Sequence, residues 1–174
     1  GWHPERFTTA GNADKPVLIV GAGPAGMEAA MVLGKRGFEA VHLVDSQKEM
    51  GGHLNWMTTM PGLSVWRRVT EYRERQISML DNVTVIPNTE MDADAICDYG
   101  AEIVIIATGS SWAGDGMLPA LHDNIAGADS SRHDVATPEQ LVLEGKELGE
   151  HVLVVDGDGY HMGSTMAELL ATQG

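Results

Sequence analysis

Cysteine is almost absent from this sequence of 174 residues. Cys97 stands alone, so neither a disulfide nor a thiolate metal cluster can form within the chain. A reducing cytoplasm is the compartment that this cysteine usage leads one to expect. Basic residues are scarce too, 11 against 25 acidic ones, for a formal net charge of −14. Nucleic acid is normally held by a stripe of Lys and Arg that neutralises phosphates, and no such stripe is present. The one local cluster, Arg67, Arg68, Arg73 and Arg75, is interleaved with Glu71 and Glu74 and reads as a solvated helix face. Any anionic ligand must then be held mainly by backbone amides and a helix terminus. Long apolar runs are also missing, so no membrane span is expected. Gly1–Phe7 lacks the basic start and apolar stretch of a signal peptide, and a start at Gly rather than Met points to processing or to a longer parent chain.

What is present is the composition of a globular domain, 43% hydrophobic and 21% charged, with 21 glycines. Residues 1–14 show no periodicity and read as a lead-in segment. Val17-Leu18-Ile19-Val20 is a short continuous apolar run, the mark of a strand buried on both faces. Met27 to Lys35 reads as a helix with Ala29, Ala30, Val32 and Leu33 for packing, closed by Gly37, and Val41–Val44 is the next strand. This is a βαβ unit, for which a right-handed crossover is expected. Ser64 is expected to cap a second helix with Trp66, Val69, Tyr72, Arg73, Gln76, Ile77 and Leu80 on one broad face. A strand over Asn82–Ile86, a short helix over Asp92–Asp98 and a second buried strand over Glu102–Ala107 follow. A loop-rich stretch from 110 to 136, containing Pro119, leads to Thr137-Pro138-Glu139-Gln140, a capping box with proline at the first helical position. Val152–Val155, a glycine-rich turn and a helix over Thr165–Leu170 repeat the opening of the chain, and both copies end in glycine, at 37 and 174. A βα half-unit without its returning strand leaves apolar surface unpartnered, which predicts a fragment of something longer.

The chemistry is carried by Gly21-Ala22-Gly23-Pro24-Ala25-Gly26, a G-x-G-x-x-G placed between a buried strand and a helix. The first glycine permits a tight turn, the second lets the backbone approach a pyrophosphate, and the third lets helix and strand pack closely. Pro24 and Ala25 open a helix whose free N–H groups and positive dipole end suit phosphates. Asp45, 24 residues after Gly21 and followed by Ser46, ends the second strand where a carboxylate can accept bonds from ribose hydroxyls. A glycine-rich strand–helix turn with no ligand is the bland alternative.

Two further pieces resemble flavoproteins of the disulfide-reductase type. These are Gly51-Gly52, where the chain turns back over the dinucleotide, with His53 and Leu54 after it, and Ile103–Ala107 running into Thr108-Gly109. Beyond them, Gly1–Phe7, Gly51-Gly52-His53-Leu54-Asn55, Pro61-Gly62-Leu63, Tyr72-Arg73-Glu74, Ile105–Trp112 and Thr137–Gln140 together resemble the C-terminal region of the trimethylamine, dimethylamine and histamine dehydrogenase family. More distantly, the chain is similar to 2,4-dienoyl-CoA reductase of the bacterial type. The resemblance implies an N-terminal TIM barrel elsewhere in the parent protein, carrying FMN and a four-iron, four-sulfur cluster (4Fe-4S). It also implies electron transfer to an electron-transfer flavoprotein and a homodimeric parent. It implies ADP rather than FAD in the first turn, with FAD as the alternative.

The expected fold is thus α/β. A Rossmann-like FAD/NAD(P)-binding domain over 15–150 has an open parallel sheet, helices on both faces and a small antiparallel excursion; the start of a second such domain occupies 151–174. The candidate cofactor-binding residues are Gly21, Gly23, Pro24, Ala25, Gly26, Asp45, Ser46, Gly51, Gly52, His53, Leu54, Ala107, Thr108 and Gly109, with His53 a candidate contact of the nucleotide. No catalytic or metal-ligating residue is expected: the histidines lack metal-site spacing, and Ser110-Ser111 lacks the nucleophile-elbow context. The reading is an ADP-binding module of an oxidoreductase, an amine dehydrogenase-type iron–sulfur flavoprotein, structural in isolation. The alternative is the FAD-binding domain of an NAD(P)H-dependent reductase. In the second turn, Asp156-Gly157-Asp158-Gly159-Tyr160-His161-Met162-Gly163, Met162 takes the third glycine's place and is expected to wedge helix from strand. Asp156 and Asp158 add charge that repels a pyrophosphate, so this turn reads as a vestige.

Overall fold

The computed structural model describes residues 7–118, 122–157 and 159–173. Residues 1–6 of the lead-in segment, and with them Pro119, Asp158 and Gly174, lie outside the described residues. The elements of the first repeat follow the sequence pattern closely. Strand β1 (Val17–Val20) is buried throughout, helix α1 spans Pro24–Lys35, and β2 spans Val41–Val44. Helix α1 begins three residues before the expected Met27, because proline with its fixed φ suits the first helical position. Gly37, at φ +78°, closes it, with its N–H donating to Gly34 O at 3.1 Å.

The chain continues with α2 (Leu54–Met57), a 3₁₀ turn (Ser64–Trp66), α3 (Arg67–Ile77), β3 (Val83–Ile86), α4 (Ala93–Asp98) and β4 (Ile103–Ile106). All four strands are parallel in the order β3-β2-β1-β4, with Val17 paired to Val41 and Ile103, and Val41 paired to Val83. One face of the sheet carries Val17, Ile19, Val41 and Leu43 against Met27, Ala30, Met31 and Phe38, with Ile77 of α3. The other carries Leu18, Val20 and Val44 against Ile86, Met91, Ile96 and Ala101 around α4. Helices therefore cover both faces of an open parallel sheet, the Rossmann-like α/β fold. Helix α3 is fastened to α1 by Arg73–Glu28 at 2.8 Å and by Lys35 Nζ donating to Gln76 Oε1 at 2.6 Å. Gly34 lets α1 come so near that a Cβ there would lie 2.7 Å from Val83 and 2.8 Å from Leu80.

Three expectations for this part need correction. Ser64 caps no helix; it opens the 3₁₀ turn, and Trp66 is the N-cap of α3 with no side-chain cap bond. Trp66 and Tyr72 lie at 50% and 53% exposure, outside the packed face, which is formed by Thr70 and Ile77. The second buried strand is half-buried: Val104 and Ile106 are exposed because β4 is an edge strand paired only with β1.

By backbone contacts the chain divides into two compact units, Gly1–Asn55 with Val65–Gly109, and Trp56–Ser64 with Ser110–Gly174. The second holds the antiparallel pair β5 (Met117–Leu118) and β6 (Asp123–Asn124), α5 (Pro138–Val142) and α6 (Met162–Gln173). The capping box forms as read: Thr137 Oγ1 accepts Gln140 N–H at 3.4 Å, and Gln140 Oε1 accepts Thr137 N–H at 3.1 Å. Two other readings fail here. Val152–Val155 is not a strand; Leu153 is 85% exposed, since a parallel strand needs neighbours to bond and the described residues offer none. Met162 wedges nothing apart: it is the first residue of α6 and is buried with Trp56, Met60, Leu63 and Met166. The close helix approach falls instead to Gly163.

Candidate nucleotide-binding site

The first glycine-rich turn leaves the end of β1 and enters α1. Gly21 has φ +103°, and a Cβ there would strike the carbonyl of Ala107. A Cβ on Gly26 would strike the carbonyl of Gly21. These two glycines are fixed by backbone contacts that hold strand and helix together. Gly23 differs: its backbone is extended, with φ −70° and ψ −179°, and nothing lies within 4 Å of the position a Cβ would take. It is also the N-cap of α1, without a side-chain cap, and Pro24 follows it. The first N–H groups of a helix have no acceptor within it. Together with the dipole they make a cradle for an anion, open on the side where Gly23 carries no side chain.

Around the turn the sequence brings together distant residues. Asp45 Oδ2 accepts Ala22 N–H at 2.5 Å, and Oδ1 accepts Gln47 N–H at 2.7 Å. These charge-assisted bonds tie the turn to the tip of β2. An ionised carboxylate offers about four lone-pair sites, so acceptor capacity remains for other donors. Gly51 N–H donates to Ala22 O at 2.8 Å, and a Cβ on Gly52 would lie 3.1 Å from Gly23 Cα. The double glycine is thus folded directly onto the glycine-rich turn. Both glycines have positive φ, +123° and +55°, and a Cβ on Gly51 would strike Asn55. On the far side Ala107 N–H donates to Val20 O at 2.7 Å, and its Cβ lies 3.4 Å from the position of a Gly26 Cβ.

Of the expected residues, Gly21, Gly23, Pro24, Ala25, Gly26, Asp45, Gly51, Gly52 and Ala107 are gathered in this way. Ser46, His53, Thr108 and Gly109 are exposed on the adjoining loops, and Leu54 is half-buried at the start of α2. Two residues were missed. Ala22, a variable position of the motif, ties the turn to Asp45 through its N–H and to Gly51 through its carbonyl. Asn55, three residues beyond the double glycine, has Nδ2 donating to Met50 O at 3.1 Å and shapes that loop. Its place after Gly51-Gly52 was the available signal. Lys15 and Glu102, paired at 3.0 Å, sit at the amino-terminal ends of β1 and β4, away from the turn, and the pairing holds the Lys15 ammonium above the ordinary lysine value. The site lies at the carboxyl ends of the strands, where open α/β sheets bind ligands.

This geometry is that of a dinucleotide-binding domain, and the sequence profile of the pyridine nucleotide-disulphide oxidoreductases matches residues 15–173; the chain belongs to that family. Its relatives include amine dehydrogenases. It is 41% identical to dimethylamine dehydrogenase of Hyphomicrobium sp. (strain x) over 179 residues, covering 100% of this chain and 24% of that protein. The structure of histamine dehydrogenase from Rhizobium sp. 4-9 superposes with a TM-score of 0.88 at 40% identity, covering 100% of this chain and 26% of the other. The 6-hydroxypseudooxynicotine amine oxidase of Pseudomonas geniculata N1 gives the same TM-score, 0.88, at 39% identity, again over 100% and 26%. The resemblance to the trimethylamine, dimethylamine and histamine dehydrogenases therefore holds, and the chain spans about a quarter of the length of these relatives.

Proposed function

We propose that this chain is the ADP-binding module of an amine dehydrogenase-type iron–sulfur flavoprotein, with a structural role for the nucleotide. The observation that carries the reading is the open, uncapped start of α1 at Gly23, enclosed by Asp45 on one side and Gly51-Gly52 on the other. In this reading the N–H groups of Ala25 and Gly26 hold the diphosphate. The free acceptor sites of Asp45 receive the ribose hydroxyls, and Ser46, His53, Leu54, Thr108 and Gly109 border the nucleotide. With a net charge of −14, affinity for an anion must come from these oriented dipoles rather than from side-chain charge.

FMN and the 4Fe-4S cluster belong, in the same reading, to an N-terminal barrel of the parent protein, which passes electrons to an electron-transfer flavoprotein and pairs as a homodimer. Among the described residues no group of three or more His, Cys, Asp or Glu could hold a metal ion, and no helix is long and apolar enough to cross a membrane. Calorimetric titration of the chain, stripped of bound nucleotide and refolded, with ADP, AMP and FAD tests the proposal. One ADP per chain, bound more tightly than AMP, is the expected result; FAD binding more tightly than ADP would transfer the site to the NAD(P)H-dependent reductase reading.

A further inference from the structure

The chain holds two glycine-rich turns, and they are filled differently. In the first, the space above Gly23 is open, and the carboxylate that touches the turn comes from Asp45, on another strand. In the second, the carboxylate comes from the turn itself. Asp156 Oδ1 accepts the N–H of Gly159 at 2.9 Å. A Cβ on Gly163 would lie 2.6 Å from Asp156 Cβ and 2.7 Å from both its Cγ and Oδ2. Gly163 is the second residue of α6, a helix of 12 residues, so this carboxylate lies against the helix's first turn. A negative charge there meets unsatisfied N–H groups and the positive end of the helix dipole. Leu118 packs on the same turn, its Cδ2 lying 2.5 Å from where a Cβ on Gly157 would stand.

We propose that Asp156 is an internal anion that occupies the phosphate place of the second turn and so restricts this chain to a single nucleotide. Three features support this. The carboxylate takes a backbone donor of the turn, the N–H of Gly159. It rests on the glycine that permits close approach at the helix start. It also adds negative charge where a diphosphate would bring two more, in a turn that contains no Lys or Arg. Charge repulsion alone would weaken binding in this place. An occupant that already takes a donor of the turn and lies against the helix start excludes the ligand and is favoured by the helix dipole. Asp156 is thus a specificity-determining residue, and the inference stands whatever the first turn binds.

The test uses the full chain, with ADP at saturation, in three forms: unaltered, Asp156→Ala and Asp156→Asn. The Gly159 amide is followed by ¹H–¹⁵N NMR while inorganic pyrophosphate is added, and the melting temperature is read in parallel. In the unaltered chain the Gly159 amide proton lies downfield and pyrophosphate leaves it in place. In Asp156→Ala it moves upfield and the protein melts several degrees lower; pyrophosphate returns the amide downfield and recovers most of the lost stability. Asp156→Asn, which keeps the volume and an acceptor oxygen, is rescued less. A Gly159 amide that moves equally in the unaltered chain and in Asp156→Ala on adding pyrophosphate would overturn the proposal. So would an amide unaffected by either substitution. The NMR readout remains decisive if Asp156→Ala unfolds, because Asp156→Asn must still shift Gly159 upfield.

Discussion

Gly23 is the residue at which the needs of the fold and the needs of a ligand come apart. Gly21 and Gly26 are held by contacts with the carbonyls of Ala107 and Gly21, so replacing either disturbs the core. Gly26→Ala is expected to cost at least about 1–3 kcal/mol, the usual range for an overpacked position, measured by chemical denaturation. Gly23 has ordinary extended φ and ψ and open space beside it. Asp is as good an N-cap as any residue, so Gly23→Asp should hold or raise stability by a few tenths of a kcal/mol. The same carboxylate would face the diphosphate, and ADP affinity should drop at least about tenfold, which corresponds to 1.4 kcal/mol. Calorimetry and thermal melting together check this: loss of stability alongside loss of binding would mean that Gly23 serves the fold after all. Asp45→Asn should also weaken ADP binding, since it removes the charge from an acceptor that ties down Ala22.

At the scale of elements, what could be read was what is dictated locally. β1 stands where a continuous apolar tetrad puts it, β2 where the largely apolar Val41–Val44 does, and the Thr137 capping box is fully formed, because strand length and helix start depend on a few adjacent residues. Thr137→Ala is expected to cost about 1 kcal/mol, visible as faster hydrogen exchange in α5. What could not be read depended on neighbours far along the chain. The apolar run of β4 looks like that of β1, yet only β1 has a strand on each side, and so Val104 and Ile106 are exposed. The prediction that separates the two strands is that Ile19→Ala costs about 2–5 kcal/mol, whereas Ile106→Thr changes stability by no more than about 0.5 kcal/mol. The same dependence explains Val152–Val155, apolar enough for a strand but without a strand to bond among the described residues. On α3, helical spacing put Trp66 and Tyr72 beside Ile77, but the 3₁₀ turn before the helix and the tie of Arg73 to Glu28 set which side packs. At the site, the motif, Asp45 and the double glycine were legible by spacing. The role of Ala22 was not, because a backbone tie leaves no mark on the identity of a side chain.

At the scale of the whole molecule, the proposal has an acidic chain with a charge of −14 hold an anion through the geometry of one turn. A ligand that binds only the folded state adds stability as its concentration rises, about 2.7 kcal/mol at one hundred times its dissociation constant. ADP should therefore raise the melting temperature in a concentration-dependent way, and Gly23→Asp should abolish that rise. The most direct test of the central claim is the identity of what the protein carries when purified. The folded chain is denatured, the released small molecules are identified by mass spectrometry, and their absorption spectrum is recorded. The account predicts ADP, close to one per chain, without flavin absorption. Recovery of FAD would contradict it and make this a redox domain, and recovery of no nucleotide from a chain that also fails to bind added ADP would leave the turn at Gly23 without the ligand assigned to it.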